Sequence, residues 1–439
     1  MMSRFRKFAI GVGIALTSVA LLSGCGKTSS GTGSASSHKT VVTIWGDDPN
    51  FNVPIMKTAV KMYNQEHKNS DVTFKVEMQN DYVTKLQTVL SAGKQSNFPN
   101  IVSIEDYNAQ KLLSSYQNDF QPLQNINLKN FSSYKKDIVR YQGKTYGVPF
   151  DSGVSALYYR KDIFAKYGVT AKDLNNITWD QFIKLAEKVK QSSGKEILGT
   201  GTLLGQDPDM IRQILQSTGN WYFTKSGKLN INSTGFKKTI ETIKSLHDAG
   251  VITGYSDFNS RNKAVYNGKL LGLVEGAWYL PTLKADKKLS GKWGIATVPR
   301  VSGMKNASNT TNEGGSSYYV LNTGNTKADK AAKKFLKTMF DGNSKFYAKA
   351  LKEQAAVTTY KPAKTNKEWN QTDPFLNQKV NKYFADNMDK IPSVSYGTHS
   401  VELETIFQSD LGDYYNGKKS LNSTIKTMEA AYKSQVGGK

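Results

Sequence analysis

The chain has 439 residues, with 59 Lys and Arg against 36 Asp and Glu, a formal balance of +23, and carries 6 Trp, 23 Tyr and 19 Phe. That length suits two or three domains with cores of their own, and the aromatic load beside only 11 Pro excludes a disordered or low-complexity polymer. The single cysteine, Cys25, excludes intramolecular disulfides and zinc sites built on two thiolates, and four scattered histidines without HExxH spacing exclude a zincin centre.

Arg4, Arg6 and Lys7 precede an apolar or small run from Phe8 to Leu22. A basic start followed by about 15 such residues has the form of a secretory signal and is short for a spanning helix. The run ends in Leu22-Ser23-Gly24-Cys25, which resembles the lipobox of bacterial lipoproteins, where the cysteine is acylated and begins the mature chain. The expectation is a signal peptide over 1–24 and a lipid on Cys25; the alternative is an uncleaved anchor with an incidental cysteine. Residues 25–38, rich in Gly, Ser and Thr, form a tether with a reach of roughly 20 Å. A basic secreted body meets anionic headgroups and cell-wall polymers, and its basic residues are dispersed on helix faces, as at Lys184, Lys188 and Lys190. No nucleic-acid partner is expected.

From Val41 to Trp45 the chain reads as a strand, then Met56, Ala59, Val60 and Tyr63 recur at helical spacing over 54–68. Val72, Phe74, Val76 and Met78 alternate as a strand; Val83, Leu86, Val89 and Leu90 mark a helix over 81–92; Ile101–Ile104 is the next strand. This β-α-β-α-β order predicts a mainly parallel sheet covered by helices. Thr178-Trp179-Asp180-Gln181 is a capping box opening a helix that ends before Gly194, and Phe236–Ala249 is another helix. Gly268–Glu275, Trp293–Val298 and Tyr318–Leu321 read as strands, and Lys327–Phe340 as a helix. Two α/β layers without a long linker predict two lobes with a cleft between them, the ligand lying beyond the carboxyl ends of strands.

Catalytic and nucleotide motifs fail: there is no GxSxG, no GxGxxG after a strand, and Gly143-Lys144-Thr145 lacks the glycine a P-loop needs at position 138, which is Ile. Glu402 and Glu404 would share a face only in a strand, and a solvated surface is the expected place for them. What stands out is aromatics beside small and polar residues at strand ends: Trp45-Gly46-Asp47-Asp48, Gly276-Ala277-Trp278-Tyr279, and Gly314-Gly315-Ser316-Ser317. Sugars offer flat C–H faces and a rim of hydroxyls, so a sugar site needs an aromatic platform with carboxylates and amides around it. Each stretch also has a plainer reading, the tryptophans as core and the diglycine as a turn.

The order of these segments resembles the extracellular solute-binding proteins of carbohydrate ABC importers, which are similar to maltodextrin-binding proteins. The resemblance rests on the lipobox, Val42-Thr43-Ile44-Trp45, Gln142 to Asp151 (QGKTYGVPFD), Leu157 to Asp162 (LYYRKD), Leu273 to Trp278 (LVEGAW), Val298-Pro299 and the 314–317 stretch. It implies a two-lobed periplasmic-binding-protein-like fold of type II, with lobe one at 39–150 plus 312–356 and lobe two at 151–311 plus 357–439. It also implies ligand contacts from Asp47, Asp48, Asp106, Tyr107, Asp151 and Trp278, with Asp207 and Arg212 near another contact segment and Tyr396 replacing a late aromatic. Ile104 and Glu105 stand where maltodextrin binders carry a further aromatic, a departure that argues against a maltodextrin ligand. The implied protein is a monomeric, membrane-tethered binder without catalysis, cofactor or metal, which closes on a carbohydrate and delivers it to an ABC permease. Alternatives are a non-sugar ligand, such as a polyamine or organic anion, and a secreted glycan-acting enzyme.

Overall fold

The structure, a computed structural model, describes residues 39–46, 48–49, 51–80, 82–201 and 207–436. The expected signal peptide, lipid site at Cys25 and tether fall on residues 1–38, and Asp47 on a further position, all outside the described residues.

The first half is built on β1 (Thr40–Gly46), α1 (Asn52–Glu66), β2 (Val72–Met78), α2 (Tyr82–Ala92), β3 (Ile101–Glu105) and α3 (Asp106–Tyr116). Val42 and Ile44 of β1 are fully buried, and the helical spacing of Ile55, Met56, Ala59 and Tyr63 puts one face of α1 against the sheet. β1 pairs in parallel with β2 and β3, as the βαβ spacing predicts.

The rest of that sheet corrects the expectation of mainly parallel strands. After β4 (Gly147–Pro149) the chain builds the second half: β5 (Ser155–Tyr159), α4 (Trp179–Ser193), β6 (Leu198–Thr200), α5 (Pro208–Ser217), α6 (Thr234–Asp248), β7 (Ile252–Gly254), α7 (Phe258–Tyr266), β8 (Gly272–Gly276) and β9 (Gly294–Ala296). It then returns as β10 (Ser316–Val320), which inserts between β3 and β4, antiparallel to both. The direction follows from the path. β3 ends, at Glu105, on the edge where the halves meet; a strand coming back from the second half enters at that edge, so Ser316 pairs with Glu105 and β10 runs the other way. The second sheet, β8-β5-β9, is antiparallel throughout, and β6 and β7 form a separate parallel pair. The sheets are therefore mixed.

Thr178 caps α4 as its sequence predicts: its hydroxyl accepts from the Gln181 N–H while Gln181 Oε1 accepts from the Thr178 N–H at 2.9 Å. The helices α8 (Thr326–Phe340) and α9 (Ser344–Gln354) pack on the first sheet, and α10 (Ser400–Tyr415) lies among the second half's residues.

Three segments cross between the halves side by side. Ser152 N–H donates to Val357 O at 2.8 Å, Glu313 N–H to Gly153 O at 2.8 Å, and Ser155 N–H to Thr311 O at 3.0 Å. A Cβ on Gly153 would fall 1.7 Å from the Glu313 carbonyl oxygen, so only glycine lets these backbones approach so closely.

Candidate functional site

Where β1 and β3 of the first half end, opposite the turn after β8, a hollow of about 610 Å³ opens. The first half supplies Asp48 and Asn52, Tyr82 and Val83 of α2, and Glu105 and Asn108 where β3 runs into α3. The second supplies Phe258, Trp278, Pro281 and Thr282, and the crossing segments lay Asp151 and Glu313–Ser316 along the floor. The volume is in the range of small-molecule sites.

Trp278 follows β8 at its carboxyl end. Its indole N–H donates to the Glu313 main-chain carbonyl at 3.1 Å, which satisfies the one polar group of the ring and leaves its faces to apolar contact. Phe258 stands beside it, ring centres 6.2 Å apart and tilted by 36°. Phe258 is 39% exposed, and Val83 on the facing wall is 49% exposed. Apolar side chains left open in a concave polar setting mark a surface kept for contact with something else.

The floor carries no side chains at its closest point. Gly314 and Gly315 have φ of +76° and +87°, a region that side-chain-bearing residues avoid. A Cβ on Gly314 would lie 3.4 Å from Trp278 Nε1 and 3.8 Å from Glu105 Oε1, so the bare backbone keeps open the space between an aromatic of one half and a carboxylate of the other. Below, Asp151 Oδ1 accepts from both the N–H and the hydroxyl of Ser316 at 2.7 Å. Burial raises the Asp151 carboxyl above the usual range, and the Lys135 ammonium opposes the rise. The lining residues include Asp48, Glu105, Asp151 and Glu313 and, among the described residues, no Lys, Arg or His.

Of the residues singled out in the sequence, the structure thus brings Asp48, Asp151, Trp278, Gly314 and Gly315 to one hollow. The others lie behind or beside it. Trp45 is 6% exposed, with its indole N–H on Glu77 at 3.2 Å and the Lys85 ammonium over its ring. Asp106 is fully buried against Lys135, the ammonium 2.6 and 2.7 Å from its two oxygens. Tyr107 accepts from Gly314 N–H at 3.1 Å through its hydroxyl and stacks on Trp221, and Tyr396 packs edge-on against both rings. Asp207 caps α5, accepting from Asp209 N–H at 2.9 Å. Arg212 is clamped by Glu404 and Asp209, with its guanidinium 4.3 Å from the Tyr107 ring centre.

That clamp corrects the expectation for Glu404. It sits on α10, on the inward face with Leu403, Phe407 and Leu411, and is 5% exposed; the guanidinium supplies the partner that a buried carboxylate requires. Glu402 pairs with Lys111 at 2.8 Å.

Sequence reasoning missed Phe258, Tyr82, Asn108 and Glu313, and met Glu105 only as a departure from a pattern. Glu313 directly precedes the diglycine and Glu105 ends β3, so extending the strand-end rule by one residue would have found both. Phe258 sits between Asp257 and Asn259 with no apolar periodicity around it. Among the described residues no cluster of three or more His, Cys, Asp or Glu could hold a metal ion, and no helix is long and apolar enough to cross a membrane.

Residues 47–341 match the family described as bacterial extracellular solute-binding protein. Over 400 residues the chain is 36% identical to the lactose-binding protein of Rhizobium radiobacter, covering 90% of this chain and 93% of that protein. Its fold is similar to that of the galacto-N-biose-/lacto-N-biose I-binding protein of Bifidobacterium longum, with a TM-score of 0.73 at 22% identity over 91% of this chain and 98% of the other. The GacH receptor of Streptomyces glaucescens gives 0.72 at 19% identity over 90% and 98%. With a cleft between two α/β halves, a family match over most of its length and a relative that aligns nearly end to end, the chain belongs to the bacterial extracellular solute-binding protein family.

Proposed function

We propose that this protein captures a neutral oligosaccharide in the hollow between its two halves and passes it to an ABC permease without chemical change. The observation that carries the reading is the make-up of the hollow: Trp278 and Phe258 side by side on one wall, with Asn52, Asn108 and acidic residues around them and no cationic side chain among the described residues. Rings stack on sugar C–H faces, and carboxylates and amides bind hydroxyls with directional hydrogen bonds, each on the order of 1.5–3 kcal/mol when one partner is charged. An organic anion would find no cationic side chain among the described lining residues. The relative's lactose makes a β-galactoside the first sugar to try.

In this reading lobe one is 39–150 plus 312–356 and lobe two 151–311 plus 357–439, with the three crossing segments as the hinge. A sugar bridging both walls makes contacts that the open form lacks, and so shifts the population towards closure. The signal peptide over 1–24, the lipid on Cys25 and the tether to residue 38 would hold a monomeric body on the outer face of the cell membrane, beside its permease.

The carboxylates also favour a second reading, a polyamine ligand. A thermal-shift screen with lactose, other mono- to tetrasaccharides, spermidine and citrate separates them, because a ligand that binds only the native state raises the melting temperature, by about 2.7 kcal/mol of stability at a hundredfold excess over Kd. The proposal expects a shift with a neutral saccharide; a shift with spermidine or citrate alone overturns it. Turnover of an oligosaccharide during the same incubation would instead make the protein an enzyme.

A further inference from the structure

The hollow continues past its own rim. Phe258 and Thr282, which line it from the second half, also line a further groove of about 620 Å³ along α7. Helical spacing builds that groove. Asp257 accepts from the Ser260 N–H at 2.7 Å and starts α7; Phe258, Asn262 and Tyr266 then recur every fourth residue, with Asn259 and Lys263 on the adjoining row. Tyr266 lines the groove but not the hollow, and the helix sets it about 12 Å along from Phe258.

The groups along the groove suit a sugar chain and complement those of the hollow. Tyr266 donates its hydroxyl to the Thr282 main-chain carbonyl at 2.8 Å, as Trp278 gives its indole N–H to Glu313, so what it offers is its ring. Asn262 Oδ1 accepts from the Tyr279 hydroxyl at 2.8 Å, which leaves the NH2 of that amide to donate. Among the described residues, the exposed side chains of Asn259 and Lys263 have no hydrogen-bond or ion-pair partner. The acidic residues of the hollow accept from hydroxyls, whereas the groove adds amide and ammonium donors for ring and hydroxyl oxygens.

We propose that the groove along α7 is a second saccharide subsite, which takes the later units of an oligosaccharide whose first units lie in the hollow. The proposal rests on the reading of the hollow as a sugar site and narrows its ligand to chains longer than a disaccharide. Phe258 is the step between the two: 39% exposed and common to both walls, it carries the chain from Trp278 towards Tyr266. With one helix for most of its wall, the groove would hold a free sugar weakly. A chain already anchored on Trp278 meets it as an intramolecular partner, so even a weak contact adds to the affinity.

The test is calorimetric titration of the full chain with lactose and with lactose lengthened by two galactose units, in the wild type and in the double variant Asn259→Ala with Lys263→Ala. Both replaced side chains are exposed and unpartnered, so the variant should melt as the wild type does. The wild type should bind the tetrasaccharide at least tenfold more tightly than lactose. The double variant should lose at least fivefold for the tetrasaccharide while its affinity for lactose changes less than twofold. Tetrasaccharide affinity equal to or below that for lactose overturns the proposal and leaves the sugar reading of the hollow standing. A double variant that loses nothing, or that loses as much for lactose, has the same consequence. Should neither saccharide bind, the galactoside reading falls and the subsite with it.

Discussion

Lys135 and Asp106 meet as an ion pair with no exposed surface on either side chain, the ammonium also donating to the Ser316 carbonyl at 2.9 Å and the Ser317 hydroxyl reaching Asp106 Oδ1 at 3.3 Å. The pair therefore pins α3 to the strand that carries the glycine floor. Burial raises the Asp106 carboxyl, and the ammonium opposes that rise. Removing one partner strands a charge in the interior, so Lys135→Met should cost about 3–5 kcal/mol in urea unfolding. Lys135→Met with Asp106→Leu should recover much of the loss. A single variant as stable as the wild type would contradict this.

Trp278→Ala should keep the fold, because the ring is only half-buried and its neighbours Phe258 and Tyr279 have other support. Sugar affinity should fall at least tenfold, about 1.4 kcal/mol, by calorimetry with an unchanged circular dichroism spectrum. Unaltered affinity would remove Trp278 from the site.

Gly314→Ala places a methyl group in the gap between Trp278 and Glu105 and forces an L-residue to φ +76°. The strain should cost roughly 1–2 kcal/mol of stability. The filled gap should weaken binding by more than that strain explains, seen as a tenfold or greater loss of sugar affinity in a protein that still melts cooperatively. Affinity equal to wild type would show that the ligand stays clear of the floor.

Stability should fall as pH rises through the mildly acid range. Burial pushes Asp207 up to about 6 and Glu275 up to about 7, while in the unfolded chain such groups titrate near 4. The folded state thus holds protons that the unfolded state has released. The stability from these two groups is fully present below about pH 4 and is lost as pH climbs through 6 to 7. The lowered carboxyls, such as Asp162 beside Arg160 and Asp389 beside Lys364, lose their contribution only at more acid pH. Calorimetric melting at pH 5.5 should therefore exceed that at 7.5; the reverse order would contradict the protonated state assigned to these carboxyls.

Local chemistry was legible and long-range return was not. The 3.6-residue spacing of α1, the alternation in β2 and the Thr178 capping box each depend on residues a few positions apart, and each stands in the structure. The insertion of β10 between β3 and β4 depends on where the chain comes back from, more than 200 residues after β3, and no local pattern encodes it. Glu404 shows the same limit from another side: spacing from Glu402 suggested surface, but on a helix its companions are Ser400, Leu403, Phe407 and Leu411, an inward stripe. The place of Trp278 and the diglycine at the hollow was legible because strand ends collect ligand-facing groups, and that of Asp151 only through the family resemblance. Phe258 was not, because an aromatic at the first turn of a short polar helix looks the same whether it faces a cleft or open solvent.

The most direct test of the account is calorimetric titration of the wild-type protein with lactose and a panel of neutral di- to tetrasaccharides, beside spermidine and citrate. The account predicts one-to-one binding of at least one neutral saccharide with a Kd below about 100 μM, near −5.5 kcal/mol, and no heat from citrate. Silence across the saccharides with clear binding of spermidine or citrate would contradict it.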